Sequence, residues 1–214
     1  MLTIYRAPYS TNCERVALAM GLKRVAADDE VVISYDDRSA VVAASGQDLV
    51  PVLVEDGVAI ADSQRILRHL EATRPEPSLF PAGEVPAARV RVFSEWFDAV
   101  WKREPNLLEE AIATAEREGR NPDPALVGEL GTAVQDRLSI FEALLDGGPY
   151  LIGAELTAAD LVAFPFLKYA LGRDAEDPDL FHRVIDEHQQ LGDSHPRLRE
   201  WIARVDALPR AFGP

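Results

Sequence analysis

The chain has 214 residues, 47% of them hydrophobic, with a net charge of −14 and a pI near 4.7. That balance excludes a general nucleic-acid binder, which needs a basic face, and argues against attachment to an anionic membrane surface. A single cysteine excludes an intrachain disulfide and any cysteine-rich metal site. The length suffices for one large domain or two small ones. MLTIYRAPYS lacks a basic region followed by a long apolar run, so no secretory leader is expected. No apolar run reaches 18 residues, so no membrane span is expected either.

In chain order, Leu2 to Tyr5 reads as a short strand that Pro8 ends. Asn12 to Leu22 reads as a helix, with Val16, Leu18, Ala19 and Leu22 on its apolar stripe and Gly21 near its end. Val31 to Ile33 is a second strand, and Arg38 to Ala44 one or two helical turns. Val52 to Val54 and Val58 to Ile60 flank a Glu55-Asp56-Gly57 turn and predict a hairpin. A helix follows over Asp62 to Ala72, with Ile66, Leu67 and Leu70 on one face. The order β-α-β-α-β-β-α predicts a small α/β unit over residues 1–75.

Residues 76–86 continue a proline-rich stretch (Pro75, Pro77, Pro81, Pro86) and read as a linker. Everything over 87–214 has helical pattern. One long helix is predicted from Ala87 to Glu116, kinked or broken at Pro105. A second covers Ala125 to Leu145 and stops at Asp146-Gly147-Gly148-Pro149. A third begins at Thr157, and shorter helices are expected over Glu176 to Gln190 and His195 to Ala207. Thr157 and Asp160 have capping-box spacing, with Leu156 and Leu161 at the staple positions, and read as folding information only.

Chemistry concentrates in three places. Val50-Pro51 heads a strand, and a proline there leaves the preceding N–H and carbonyl outside the sheet ladder. If that bond is cis, those groups face outward and can pair with the backbone of a bound peptide. Asp62-Ser63 opens a helix, whose first N–H groups and serine hydroxyl can receive a carboxylate. Ser10-Thr11-Asn12-Cys13 opens the first helix. Ser10 or Thr11 also reads simply as a helix cap, and Thr11 with Glu14 has capping-box spacing.

Together these segments make the chain resemble the cytosolic glutathione transferase family over essentially its whole length. The motifs are Pro8 followed by Ser10-Thr11-Asn12-Cys13-Glu14-Arg15-Val16, Leu49-Val50-Pro51-Val52-Leu53, and Ala61-Asp62-Ser63, with the Thr157–Asp160 box as a fourth. The resemblance is to serine-type members, of an unassigned bacterial-like class. It implies an α/β thioredoxin-like N-terminal domain plus an all-α C-terminal helical domain.

The family's reaction needs glutathione as thiolate. An ordinary thiol is mostly protonated at neutral pH, and each unit of pKa depression takes about 1.4 kcal/mol of preferential stabilisation. A helix N-terminus supplies part of this and a hydroxyl hydrogen bond more. The resemblance makes Ser10 the catalytic donor to the thiolate and Asn12 a second donor, with Thr11 as a rival if the register slips by one. It implies that the Val50 backbone at Pro51 pairs with the cysteinyl unit. Asp62 and Ser63 then hold the γ-glutamyl ammonium and carboxylate, and Gln47 answers the glycyl end. Asp62 stands where a longer side chain is commoner in the family, and 46–50 is one residue longer than the common form. Ser10-x-x-Cys13 resembles a redox Cys-x-x-Cys whose first member has become serine, which excludes disulfide exchange through Ser10; Cys13 reads as a packed small residue, with a reactive, acidic first-turn thiol as the alternative.

Trp96, Val100 and Trp101 lie where the family builds its hydrophobic substrate pocket, although their spacing is also that of a core. The four histidines lack metal-ligand spacing, so no metal is expected. The implied function is transfer of glutathione to a small hydrophobic electrophile, a detoxification chemistry. The alternatives are a glutathione-dependent cis-trans isomerase of maleyl-type substrates and a non-catalytic binding module of the same fold. A cytoplasmic homodimer with no nucleic-acid or membrane partner is expected.

Overall fold

A computed structural model describes residues 1–34 and 36–213. It divides into two compact units, one of residues 1–81 with 207–214 and one of residues 82–206.

The first unit is built on a four-stranded sheet in the order β2-β1-β3-β4. The strands are β1 (Leu2–Arg6), β2 (Asp29–Val32), β3 (Val52–Glu55) and β4 (Val58–Ala61). β1 pairs parallel with β2 and antiparallel with β3, and β3 pairs antiparallel with β4. The parallel pair requires a crossover, which α1 (Thr11–Leu22) supplies. α2 (Ser39–Ser45) leads to the β3–β4 hairpin, and α3 (Ser63–Thr73) follows it. Ile4, Val16, Leu18, Met20, Leu53, Ile66 and Leu70 are fully buried and form the core.

Three features of this unit lie beyond the reach of pattern reading. Residues 207–213 pack back onto α1, rather than ending the helical unit. Ala211 N–H donates to the Ala17 carbonyl at 2.9 Å, and Arg210 pairs with Glu14 at 2.8 Å. Gly21, which reads as a helix-end signal, serves this packing: a Cβ there would stand 2.2 Å from the Pro209 carbonyl oxygen. Lys23, its side chain wholly buried, donates to Glu71 at 2.8 Å, the Arg74 carbonyl at 2.7 Å and the Pro77 carbonyl at 2.9 Å. It thereby ties the end of α1 to the chain leaving α3.

The second unit is helical. It contains α4 (Glu84–Trp96), a π-helical segment (Phe97–Trp101), α5 (Arg103–Arg117), α6 (Pro124–Asp136), α7 (Leu138–Leu144), α8 (Ala158–Leu167), α9 (Leu180–His188) and α10 (Pro196–Asp206). Every residue of α8 is buried, which makes it the unit's central helix. The long helix expected over 87–116 is interrupted at 97–102, several residues ahead of Pro105. The reason is that Pro105 has no N–H for the Trp101 carbonyl four residues back and its ring crowds that carbonyl. Arg137 Nη1 instead donates to the Val100 and Trp101 carbonyls at 2.8 and 3.2 Å. The helix expected over 125–145 is likewise two, joined at Arg137.

The Thr157 capping box forms as expected, with both reciprocal bonds made. Asp160 does more than cap. It is fully buried and also accepts from Leu151 N–H at 2.9 Å and from Trp201 Nε1 at 2.8 Å.

Candidate functional site

The strand register gathers the sequence motifs at one end of the sheet. Tyr5 lies opposite Val52, and Val52 opposite Ala61. Continuing the ladders past those pairs carries the chain beyond β1 toward Ser10, the Val50-Pro51 bond, and the Asp62-Ser63 step to the same edge. The Val50-Pro51 bond is cis. Val50 packs with Tyr5 and Ala61 against the cluster of Ile33, Val41 and Val52.

At the head of α1, Ser10 rather than Thr11 is the cap. Its backbone is extended (φ −61°, ψ 113°) and its Oγ accepts from Cys13 N–H at 3.3 Å. Accepting that bond does not use the hydroxyl hydrogen, so capping and donation are compatible roles. Thr11 is buried, whereas Ser10 and Asn12 are partly exposed. Cys13 is buried, and burial pushes its thiol up to about 11 against the opposing hydrogen bonds from Ser10 and Ala7. It is a packed residue in this environment.

At the head of α3, Asp62 adopts φ +80° and ψ 125°, a region costly for a residue with a Cβ and characteristic of functional sites. Its Oδ1 accepts from Arg65 N–H at 3.0 Å, and the residue remains exposed. Ser63, the first helical residue, is 4% exposed.

Arg15 joins the two helix starts, and pattern reading did not single it out for any role. It is 1% exposed, and its Nη1 lies 3.1 Å from Asn12 Oδ1 and 3.3 Å from Ser63 Oγ. An arginine inside an apolar helix stripe is the only sequence signal for it. The amino ends of α1 and α3 are thus fastened together through one guanidinium.

Gln47 is bonded within its own loop. Its Nε2 donates to the Leu49 carbonyl at 2.7 Å and to Ser45 Oγ at 3.2 Å, and its Oε1 accepts from Leu49 N–H at 2.7 Å. Its amide shapes the 45–49 loop, which fits the extra residue in that segment. Arg38 donates to the Asp48 carbonyl at 2.8 Å in the same loop.

In the helical unit the three candidate pocket residues separate. Trp101 is fully buried, stacked on Phe97 at 4.5 Å and edge-on to Phe141 and Phe166, and so belongs to the aromatic core. Val100 is 42% exposed. Trp96 lines a groove of about 660 Å³ with Val92, Phe93, Ile140 and Leu144. Among the described residues no group of three or more His, Cys, Asp and Glu is placed to hold a metal ion, and no helix is long and apolar enough to cross a membrane.

The fold defines the class: an α/β thioredoxin-like unit followed in the chain by an all-helical one. The chain belongs to the glutathione S-transferase family. The family's N-terminal domain model matches residues 4–78 and its C-terminal domain model residues 96–204. A glutathione S-transferase structure from Rhodospirillum rubrum F11 superposes with a TM-score of 0.75 at 29% identity, over 98% of this chain and 89% of that one. FtsZ-localized protein A of Caulobacter vibrioides is 28% identical over 167 residues, 75% of this chain and 73% of that protein. The structure of FzlA from C. crescentus shares the fold, with a TM-score of 0.76 at 24% identity over 97% of this chain and 88% of that one.

Proposed function

We propose that the protein is a glutathione transferase. It holds glutathione as thiolate at the head of α1 and adds the sulfur to a hydrophobic electrophile. The observation that carries this reading is the convergence of two helix starts, with Arg15 contacting both Asn12 and Ser63 in the unit that contains the cis Val50-Pro51 bond. In this arrangement Ser10 donates its hydroxyl hydrogen to the sulfur, with Asn12 as a second donor. Thr11 contributes backbone at the head of the helix, and the backbone at Val50 and Pro51 pairs with the cysteinyl unit. Asp62 and Ser63 take the γ-glutamyl ammonium and carboxylate. Gln47 reaches the glycyl end only by releasing Leu49. The sulfur lone pair forms the new carbon–sulfur bond, and the electrophile's leaving group departs or its carbanion is protonated by water. Trp96 and Val100 are the candidate electrophile contacts, and Trp101 supports them from the core.

The test is the thiol pKa of bound glutathione, read from thiolate absorbance, in wild type and in Ser10→Ala. Loss of the hydroxyl donor is expected to raise it by about one unit, equivalent to about 1.4 kcal/mol. An unchanged value removes Ser10 from the mechanism. Turnover of a maleyl-type diene with catalytic glutathione would instead assign the isomerase.

A non-catalytic module of the same fold is the second reading. It is favoured by the relative whose name records localisation with FtsZ, and by the Gln47 amide being bonded within its own loop. Calorimetry that detects no glutathione binding at millimolar ligand would favour it.

We further propose a cytoplasmic homodimer formed through α3 and α4, supported by the exposure of Val85 and Val92 on α4. A monomer at micromolar concentration in sedimentation would oppose it.

A further inference from the structure

We propose that Arg15 is a positioning residue that fixes the hydrogen-bond polarity of Asn12 and Ser63, turning both into donors toward an anionic ligand. The inference rests on the glutathione reading of this site and adds to it a residue and a role.

The argument follows from donor and acceptor inventory. A guanidinium has five N–H donors and no acceptor, and it stays charged at every accessible pH. Any atom that bonds it must therefore accept. Asn12 faces Arg15 Nη1 with Oδ1 at 3.1 Å, so its Nδ2 hydrogens necessarily point elsewhere. Ser63 Oγ accepts from the same nitrogen at 3.3 Å, so its single hydrogen is left to donate. Without such a partner an asparagine amide can flip and a serine hydroxyl can rotate, and each could present a lone pair to the ligand. An anion would meet repulsion in half of those states. Arg15 removes them before the ligand arrives, which is preorganisation.

The positive charge beneath the two side chains acts in the same direction. It polarises the Ser63 hydroxyl and the Asn12 amide toward stronger donation. Burying a guanidinium at 1% exposure is expensive, and a hydrophobic residue would fill this place in α1 more cheaply if packing were its purpose.

A lysine retains the charge, but its shorter side chain places the ammonium short of the position that Nη1 holds between Asn12 Oδ1 and Ser63 Oγ. Arg15→Lys is therefore expected to weaken binding of reduced glutathione roughly 10- to 100-fold by calorimetry, and to lose most of that effect in a Ser63→Ala background. Asn12→Asp keeps an oxygen toward Arg15 but has no hydrogen for the ligand. It is expected to raise the bound-thiol pKa by about one unit while the protein keeps its fold. Additive effects of Arg15→Lys and Ser63→Ala on affinity would overturn the proposal. So would an unchanged thiol pKa in Asn12→Asp, a measurement that still decides the matter if Arg15→Lys does not fold. A wild type that binds no glutathione at millimolar concentration rejects the proposed function instead. The polarity is then read in the ligand-free protein from the Asn12 side-chain amide resonances. Hydrogens exchanging with water support the assignment, and hydrogens held by a protein acceptor overturn it.

Discussion

Arg137 donates to the carbonyl oxygen of Trp101 at 3.2 Å, the acceptor that Pro105 leaves without its helical partner. The same Nη1 reaches the Val100 carbonyl at 2.8 Å and pairs with Glu104. One side chain thereby satisfies the break between α4 and α5, and it does so from the joint between α6 and α7.

This relationship predicts a compensating pair of substitutions. Arg137→Met should destabilise the protein by about 2–3 kcal/mol in urea unfolding, because two carbonyls and a carboxylate lose a charged donor. Pro105→Ala restores an N–H at the position that can serve Trp101. In the Arg137→Met background it should recover about 1 kcal/mol, more than it gains in wild type. Equal effects in both backgrounds would show that Arg137 does not answer Pro105.

Asp160 predicts a larger loss. Its carboxylate accepts from the Leu151 and Thr157 backbones, the Thr157 hydroxyl and Trp201 Nε1, with no exposure to solvent. Asp160→Ala should cost about 3–5 kcal/mol, since several buried donors are left unmatched at once. Thr157→Ala, which removes one cap hydroxyl, should cost about 1 kcal/mol. Chemical denaturation of the two variants separates these values.

The acid side of the stability curve should depend on Glu55. Hydrogen bonds from Arg74, then from His69, bring its carboxyl down from 4.5 to about 2. An acid depressed in the folded state contributes stability above its unfolded pKa and loses it on protonation. The contribution is therefore present above about pH 4.5 and fades as pH falls toward 2. Water screens this surface cluster, so the effect is about 1 kcal/mol and shrinks in salt. Glu55→Gln should be less stable than wild type at pH 6, with the difference closing by pH 2.5 in thermal unfolding.

Cys13 should be inert in the native protein. With its thiol pushed from 9.0 to about 11 by burial, ionisation alone makes alkylation at pH 8 about 100-fold slower than in the unfolded chain. Iodoacetamide labelling in buffer and in denaturant measures the ratio. Rapid labelling of folded protein would contradict the burial.

Much of the fold is legible in the residues because it follows local rules. The alternation in Val52–Val54 and Val58–Ile60 around Glu55-Asp56-Gly57 predicts the hairpin, and β3 and β4 form there. The Thr157-x-x-Asp160 spacing predicts a capping box, and it forms. Prediction fails where the deciding contact is remote in sequence. The second break, between α6 and α7 at Arg137, has no proline or glycine to announce it. The return of 207–213 onto α1 depends on Gly21 and Glu14, almost two hundred residues away.

The candidate site divides in the same way. Residue order alone determined the three motifs at 10–13, 50–51 and 62–63, because a strand-heading proline and a helix-capping hydroxyl act on their immediate neighbours. Only tertiary structure decided that Arg15 would serve both Asn12 and Ser63, that Gln47 would spend its amide on Leu49, and that Trp101 would lie in the core. Hydrogen-bond polarity and burial depend on which atoms are brought within about 3 Å, and that is settled by packing between elements rather than by position along the chain.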